Sequence, residues 1–311
     1  MSAVGPRGVF LGTSGFAATV LGVLAGSDHR PTLVVTLPDR KQGRGRKVSP
    51  SPVALAAEEL GIEVFKCDDV NAEDARGRLL AAGGQWASIC AFGQIIKEPL
   101  LTDLPMLNVH PSLLPRWRGA APIERSIMAG DEETGVCVMR LVAGLDSGPV
   151  ASSRATPIGF QENFESLSGR LAEVGGELLV EALDAAAEGT LEWVEQDDDQ
   201  ATYAEKIDSG DRRLDLKRGA WELDCQVRAL TPHIGAWMEL QGGDRLGISE
   251  AAAVEKSVIP GIAEAVEGEL LIGCGEGALR LSKVQPPGKK PMDADDYLRG
   301  YGVPVPAFED Q

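Results

Sequence analysis

The 311-residue sequence lacks several features that mark common protein classes. No apolar run approaches the roughly 20 residues that span a membrane, and the first residues do not resemble a secretion signal. The five cysteines are scattered with no CxxC pair, so neither a zinc site nor a disulfide framework is expected. No GxxxxGKS/T or HExxH segment occurs, which leaves P-loop nucleotide hydrolysis and metalloprotease chemistry without support. We therefore expect a reduced, cytoplasmic protein with no metal and no membrane partner.

The charge is strongly negative, with 47 acidic against 30 basic side chains and a net charge of −17. Such a balance argues against a general nucleic-acid-binding protein. One segment between Asp39 and Val48 is an exception, because it carries Arg40, Lys41, Arg44, Arg46 and Lys47. A small basic segment on an acidic body suits contact with a few phosphates. A solvated loop without a special role is the alternative, and the segment alone leaves both interpretations open.

In the first 189 residues, short apolar segments alternate with segments of helical periodicity. The predicted strands include residues 9–11, 32–37, 62–65, 87–91 and 106–110. Ser14 and Ser51 precede helical segments and are predicted N-caps. This alternation indicates a Rossmann-like α/β fold with a doubly wound, mostly parallel sheet. Ligands bind beyond the carboxyl ends of the strands in such sheets, where Phe92, Gly93 and His110 lie.

The pattern changes after Gly189. Residues 190–207 are polar and include an acidic run, as in a linker. Residues 208–311 contain one short helical segment and several short β-like segments separated by glycine-rich turns, which indicate a small barrel or sandwich. The predicted organisation is a catalytic domain over residues 1–189, a linker over 190–207 and a β domain over 208–311.

Only three histidines occur. We expect His29, in a polar turn, to lie at the surface and His233 to be structural. His110 follows Asn108 by two residues, so both side chains lie on one side of their strand. Asp146 stands downstream in Gly-Leu-Asp-Ser-Gly; by itself it could be a turn residue, as a lone strand-end histidine could be structural. Together the amide, imidazole and carboxylate are the groups that acyl transfer to an amine needs.

The segment Asn-Val-His-Pro-Ser-Leu-Leu-Pro, residues 108–115, with Asp146 downstream resembles the formyltransferase family that uses 10-formyltetrahydrofolate. The next segment, Arg-Trp-Arg-Gly-Ala-Ala-Pro-Ile, narrows the resemblance to the methionyl-tRNA formyltransferase branch. Residues 38–47 resemble the inserted basic loop of that branch, and residues 284–292 resemble the end of its C-terminal barrel. The resemblance therefore covers nearly the whole chain and implies a small OB-like barrel as the second domain.

The resemblance also implies roles for particular residues. Asn108 and His110 would stabilise the oxyanion of a tetrahedral intermediate, and Asp146 would orient His110. The residues expected to contact the folate, which serves as formyl donor, are Phe92, Gly93, Ser112, Leu113, Leu114 and Pro115. The residues expected to contact methionyl initiator tRNA, the acceptor, are Arg40, Arg44, Arg46 and Lys47. We expect a monomer that needs no metal.

The sequence departs from the family pattern at two places away from these residues. The family usually has Gly-Thr-Pro-Asp/Glu-Phe-Ala at the first turn, where this chain has Gly-Thr-Ser-Gly-Phe-Ala from Gly12. It usually has Asn-Pro-Trp-Pro-Gly where this chain has Thr-Pro-His-Ile-Gly from Thr231. Alternative interpretations keep the three catalytic groups but change the acceptor to an amino-sugar nucleotide or to water. Another alternative is an RNA-binding module whose first domain is inactive.

Overall fold

The computed structural model describes residues 8–42 and 47–308. The chain divides into two compact units, and neither is continuous in sequence. The first unit comprises Met1–Gly119, Glu133–Pro157 and Ser168–Tyr203. The second comprises Ala120–Glu132, Ile158–Leu167 and Ala204–Gln311. The sequence-based boundaries at residues 189 and 208 stay a prediction.

The elements follow one another along the chain in this way. The strands are β1 (Val9–Gly12), β2 (Leu33–Thr36), β3 (Arg40–Gln42), β4 (Lys47–Ser49), β5 (Glu63–Lys66), β6 (Ala87–Cys90), β7 (Met106–His110), β8 (Arg118–Gly119), β9 (Glu133–Arg140), β10 (Val150–Pro157), β11 (Tyr203–Ala204), β12 (Ala236–Glu239), β13 (Arg245–Val254), β14 (Ala263–Val266), β15 (Glu269–Gly273), β16 (Ala278–Gln285) and β17 (Met292–Asp293). The helices are α1 (Gly15–Ala25), α2 (Pro52–Glu59), α3 (Glu73–Ala82), α4 (Leu100–Asp103), α5 (Pro122–Met128), α6 (Phe164–Glu188), α7 (Ala220–Leu230) and α8 (Ala294–Tyr301), with a 3-10 turn at Asp198–Gln200.

The first unit is built on a seven-stranded sheet in the order β10-β9-β7-β6-β1-β2-β5. The five strands from β7 to β5 in this order pair in parallel, whereas β9 and β10 add an antiparallel edge. β1, β2, β6 and β7 are buried along their full length, as expected for parallel strands covered on both faces. The Rossmann-like prediction is confirmed.

Two serines start the first helices as predicted. The Ser14 hydroxyl accepts the Ala17 backbone N–H at 3.2 Å, and the Ser51 hydroxyl accepts the Ala54 N–H at 3.0 Å. Each bond satisfies one of the backbone donors left unpaired at a helix start. These caps fix where the chain leaves β1 and where it enters α2.

One prediction about the first unit is wrong. His29 is only 8% exposed, and its Nε2 lies 2.7 Å from Asp184 Oδ1. The polar sequence around His29 indicated a surface turn, but the carboxylate from α6 gives the ring a partner and allows its burial.

The second unit contains a six-stranded sheet in the order β12-β13-β16-β15-β14, with β17 pairing to β16. Its strands pair antiparallel, which confirms the predicted β domain as an antiparallel sheet. Buried residues of α7 and α8 join those of the sheet in one core, including Leu223, Val227 and Tyr297. The helical and β-like segments expected from the sequence correspond to α7, β12, β13, β15 and β16, whereas the sequence pattern does not predict β14, β17 or α8.

Candidate active site

Asn108 and His110 lie at the carboxyl end of β7, between β6 and β9. Their strand register pairs Asn108 with Met139 and His110 with Cys137 on β9. Both side chains are buried, with 9% of Asn108 and 4% of His110 exposed. The sheet therefore fixes the backbone of both residues, and because both belong to β7 with one residue between them, their side chains lie on one side of the strand, as predicted.

The hydrogen bond of His110 defines the role of each ring nitrogen. His110 Nε2 lies 2.9 Å from the Trp117 carbonyl oxygen. A carbonyl accepts but cannot donate, so Nε2 carries a proton and donates it to this bond. His110 Nδ1 then faces Asp146 Oδ2 at 3.7 Å, which is longer than a direct hydrogen bond and within ion-pair range. Catalytic contacts of this kind often tighten only when substrate is bound.

A hydrogen bond from a neighbouring segment holds the Asp146 side chain, and the Asp146 backbone has an unusual conformation. Its Oδ2 accepts the Gly119 backbone N–H at 2.9 Å. Asp146 has φ +45° and Trp117 has φ +64°, both in the left-handed region that costs a non-glycine residue about 1–3 kcal/mol in unfavourable cases. Ala91, at the end of β6, has φ +43°. Glu267 of the second unit is the other non-glycine residue with a positive φ among the described residues.

The segment after His110 supplies most of the predicted folate contacts. Ser112 is fully buried, and its hydroxyl donates to the Arg116 carbonyl at 2.6 Å. Leu113, Leu114 and Pro115 line one cavity of about 380 Å³ together with residues of β10 and of the segment 194–197. The structure thus brings these three predicted residues together, while Ser112 closes the turn behind them.

Phe92 and Gly93 stand apart from that cavity, beyond the end of β6. The Phe92 side chain is only 3% exposed and belongs to the core of the first unit. Its carbonyl accepts the Thr13 hydroxyl at 2.6 Å, which ties the turn after β1 to the end of β6. Gly93 has φ +88°, a conformation that glycine adopts without a steric cost. Because the Phe92 side chain is buried in the core, only backbone atoms and Gly93 are available at this position to contact a ligand.

The predicted tRNA-binding residues lie on or between two short strands. β3 and β4 pair antiparallel, with Arg40 opposite Ser49 and Gln42 opposite Lys47. Arg40 is exposed, whereas Arg44 and Arg46 lie outside the described residues. Neighbouring Asp39 forms a 2.7 Å ion pair with Lys66.

The cysteines near the site are unsuited to covalent catalysis. Burial raises the pKa of the Cys137 thiol to about 11, although the Leu114 N–H bond to its sulfur acts in the opposite direction. Burial also raises the pKa of the Cys90 thiol. Because the thiolate is the nucleophile, both groups stay unreactive near neutral pH. No cluster of three potential metal ligands occurs within residues 8–42 and 47–308.

Comparison with known protein families supports the same chemistry. The model described as formyl transferase matches residues 7–183, more than half of the chain. The chain belongs to the formyl transferase family. The model of the family's C-terminal domain matches residues 206–302, so both parts of the family architecture are present and the resemblance inferred from the motifs is confirmed.

Relatives within the family cover almost the full length. A methionyl-tRNA formyltransferase of Ruegeria pomeroyi is 43% identical over 301 residues, 96% of this chain and 98% of the relative. The solved structure of HypX from Aquifex aeolicus with tetrahydrofolic acid has TM-score 0.67 at 18% identity, over 94% of this chain and 47% of that one. WlaRD, a sugar 3N-formyl transferase, has TM-score 0.66 at 16% identity, over 93% of this chain and 100% of that one. The two structures show the shared fold.

Proposed function

We propose that this protein transfers the formyl group of 10-formyltetrahydrofolate to the α-amino group of methionyl initiator tRNA. The observation that carries the proposal is that Asn108 and His110 lie at the end of β7, with Asp146 Oδ2 3.7 Å from His110 Nδ1, in a chain of the formyl transferase family. The methionyl-tRNA formyltransferase of Ruegeria pomeroyi, similar over nearly the whole chain, supports this choice of acceptor. The product is N-formylmethionyl-tRNA, which serves translation initiation.

The proposed reaction needs no covalent enzyme intermediate. A free α-amino group has a pKa of about 7.7–8.0, so a useful fraction of the acceptor is already neutral near pH 7. Its nitrogen attacks the formyl carbon, and the carbonyl electron pair moves to oxygen. The Asn108 amide and the Nδ1–H of the protonated His110 ring stabilise this oxyanion, because Nε2 is already bonded to the Trp117 carbonyl. One such donor is worth about 10²–10³ in rate. The oxyanion then collapses, and the N10–carbon bond breaks.

Proton transfer completes the exchange. The attacking amine loses one proton, and N10 gains one as tetrahydrofolate leaves, so the overall reaction is balanced. With Nε2 of His110 bonded to the Trp117 carbonyl, Nδ1 is the nitrogen beside Asp146. We assign Asp146 two roles: it stabilises the charged ring during the transfer, and it relays the amine proton through water.

We place the folate beside the turn that follows His110. Leu113, Leu114 and Pro115 offer it an apolar wall, and Ser112 holds their turn through the Arg116 carbonyl. At the end of β6, Phe92 contributes backbone and Gly93 permits close approach of the ligand. Apolar walls with a few placed polar groups are typical of small-molecule sites.

We assign tRNA contact to the basic strand pair β3–β4 and its connection. Arg44 is the leading candidate, supported by Arg40, Arg46 and Lys47 through phosphates. With a net charge of −17, the rest of the protein repels RNA and leaves this segment as the favoured point of contact. We propose a monomeric, cytoplasmic enzyme.

The acceptor is tested by offering the wild-type protein labelled 10-formyltetrahydrofolate with four acceptors in parallel. These are methionyl initiator tRNA, the same tRNA uncharged, an amino-sugar nucleotide and water alone. We expect labelled product with the charged tRNA only. Formylated sugar without formylated tRNA, or release of formate without an acceptor, would overturn the proposed acceptor and leave the catalytic residues in place.

A further inference from the structure

Gln196 contacts the turn that carries Asp146. Its Nε2 donates to the Asp146 carbonyl at 2.8 Å and to the Gly148 carbonyl at 2.7 Å. Both hydrogens of the amide are thus used on carbonyls two residues apart. These bonds fix the backbone of residues 146–148, and with it the direction of the Asp146 side chain. The sequence placed Gln196 in the acidic linker, where nothing marked it as functional.

Arg118 orients the Gln196 amide. Its Nε donates to Gln196 Oε1 at 3.0 Å, and its terminal nitrogen donates to Asp198 Oδ1 at 2.8 Å. The Arg118 residue is only 3% exposed. The amide oxygen of glutamine only accepts hydrogen bonds, and its nitrogen only donates them. Because the Arg118 guanidinium must bond the oxygen, the nitrogen is the end of Gln196 that faces the Asp146 turn.

The chain on either side of Arg118 touches both members of the His110–Asp146 pair. The Trp117 carbonyl accepts from His110, and the Gly119 N–H donates to Asp146. Residues 117–119 and Gln196 therefore form one hydrogen-bonded frame around the pair. Val194 anchors the other end of this frame through two backbone bonds with Val150, of 2.8 and 2.9 Å.

We propose that Gln196 is a positioning residue for formyl transfer, holding Asp146 in reach of His110, and that Arg118 sets the orientation of its amide. This inference rests on the proposed function. The backbone bonds of Val194 remain without the Gln196 side chain, so truncation at Gln196 loosens the Asp146 turn while leaving the segment attached. A misplacement of about 1 Å in such a constellation can cost about 10²-fold in rate.

The test compares Gln196→Ala and Gln196→Glu with Gln200→Ala in the full-length protein. Gln200 is an exposed glutamine of the same segment, and its amide bonds Asp197 at 2.6 Å. Single-turnover formyl transfer to charged tRNA at saturating substrates is the readout. We expect a fall of about 10–10²-fold for Gln196→Ala and no change for Gln200→Ala. Gln196→Glu should be at least as slow, because its carboxylate would face the Asp146 and Gly148 carbonyls.

A double-mutant cycle separates positioning from general damage. If Gln196 acts through Asp146, Gln196→Ala should cause no further loss in an Asp146→Asn background, since coupled residues are not additive. Hydrogen exchange of residues 144–148, which needs no activity, should accelerate in Gln196→Ala and not in Gln200→Ala.

Equal losses in the two backgrounds, unchanged exchange, or full activity of Gln196→Ala would overturn the positioning role. An inactive wild-type protein would instead count against the proposed function, and the exchange experiment would still decide whether Gln196 holds the turn.

Discussion

Asp146→Asn removes one negative charge from the candidate site and keeps the size of the side chain. The Asn oxygen can still accept the Gly119 N–H, which in the native protein bonds Asp146 at 2.9 Å. That same oxygen is the atom 3.7 Å from His110 Nδ1, so the substitution keeps the contact geometry and removes only the negative charge. A neutral amide offers no charge stabilisation to a ring that becomes positive during proton transfer.

The separation of the two groups gives the expected magnitude. Asp146 Oδ2 and His110 Nδ1 are 3.7 Å apart, with 15% and 5% of the side chains exposed. A charge pair near 4 Å is worth about 4 kcal/mol at the effective dielectric constant typical of protein sites. Each 1.36 kcal/mol changes a rate about tenfold, so full loss would slow transfer about 10³-fold. Solvent at the partly exposed Asp146 side chain weakens the charge interaction, so we expect the rate of transfer to fall about 10²–10³-fold.

The assay is single-turnover formyl transfer by quench-flow, with both substrates saturating so that binding does not limit the rate. Asp184→Asn is the matched control, because Asp184 also pairs with a buried histidine, His29, at 2.7 Å. That pair lies outside the candidate site, and its loss should leave the rate unchanged. A rate for Asp146→Asn within threefold of wild type would refute the electrostatic role assigned to Asp146.

Three further changes probe RNA contact, turn geometry and stability. Arg44→Ala should raise the KM for charged tRNA about tenfold and lower the salt slope of tRNA binding by about 1, without changing folate binding. In Gly148→Ala, the new Cβ would lie 1.9 Å from the Arg140 carbonyl oxygen; urea unfolding should show a loss of about 1–3 kcal/mol, and formyl transfer should slow more than tenfold. Hydrogen bonds from Arg125 hold the pKa of Asp211 below its ordinary 3.8, so Asp211→Asn should cost about 1–2 kcal/mol at pH 7 by urea unfolding.

The sign of the Asp211 effect follows from that lowered pKa. The wild-type protein is more stable than Asp211→Asn at a pH above 3.8, the ordinary pKa of an aspartate. This difference in stability disappears as the pH falls through the lower pKa that Asp211 has in the folded protein. A difference that grows on acidification would contradict it. Gly22→Ala is the control for Gly148→Ala, because a Cβ at Gly22 meets no atom within 4 Å. Equal losses of stability in the two variants would contradict the steric clash proposed at Gly148. For Arg44, a loss of folate binding would contradict a role in RNA contact.

Local patterns were enough to predict the parallel sheet of the first unit. Alternation of apolar strands with capped helices specified the parallel sheet, and Ser14 and Ser51 cap their helices as predicted. The spacing of Asn108 and His110 placed both on one strand end, because side chains alternate strictly along a β-strand. The position of Asp146 near His110 was expected from the family resemblance and has no local signal of its own.

Long-range partners account for what the sequence could not predict. His29 is buried because Asp184, 155 residues away, accepts its hydrogen bond. Gln196 reaches the Asp146 turn across 50 residues, and its acidic neighbours resemble a linker. Phe92 joins the core although the family pattern suggested a ligand contact. Each of these depends on a contact that neither periodicity nor composition records.

Replacement of His110 tests most directly whether this side chain carries the chemistry. His110→Ala and His29→Ala remove the two buried histidines of the first unit, at 4% and 8% exposure. Turnover with methionyl initiator tRNA and the affinity for 10-formyltetrahydrofolate are measured for both variants. We predict that His110→Ala abolishes turnover while folate binding stays largely intact, and that His29→Ala keeps both. Near-normal turnover by folded His110→Ala would contradict the catalytic assignment.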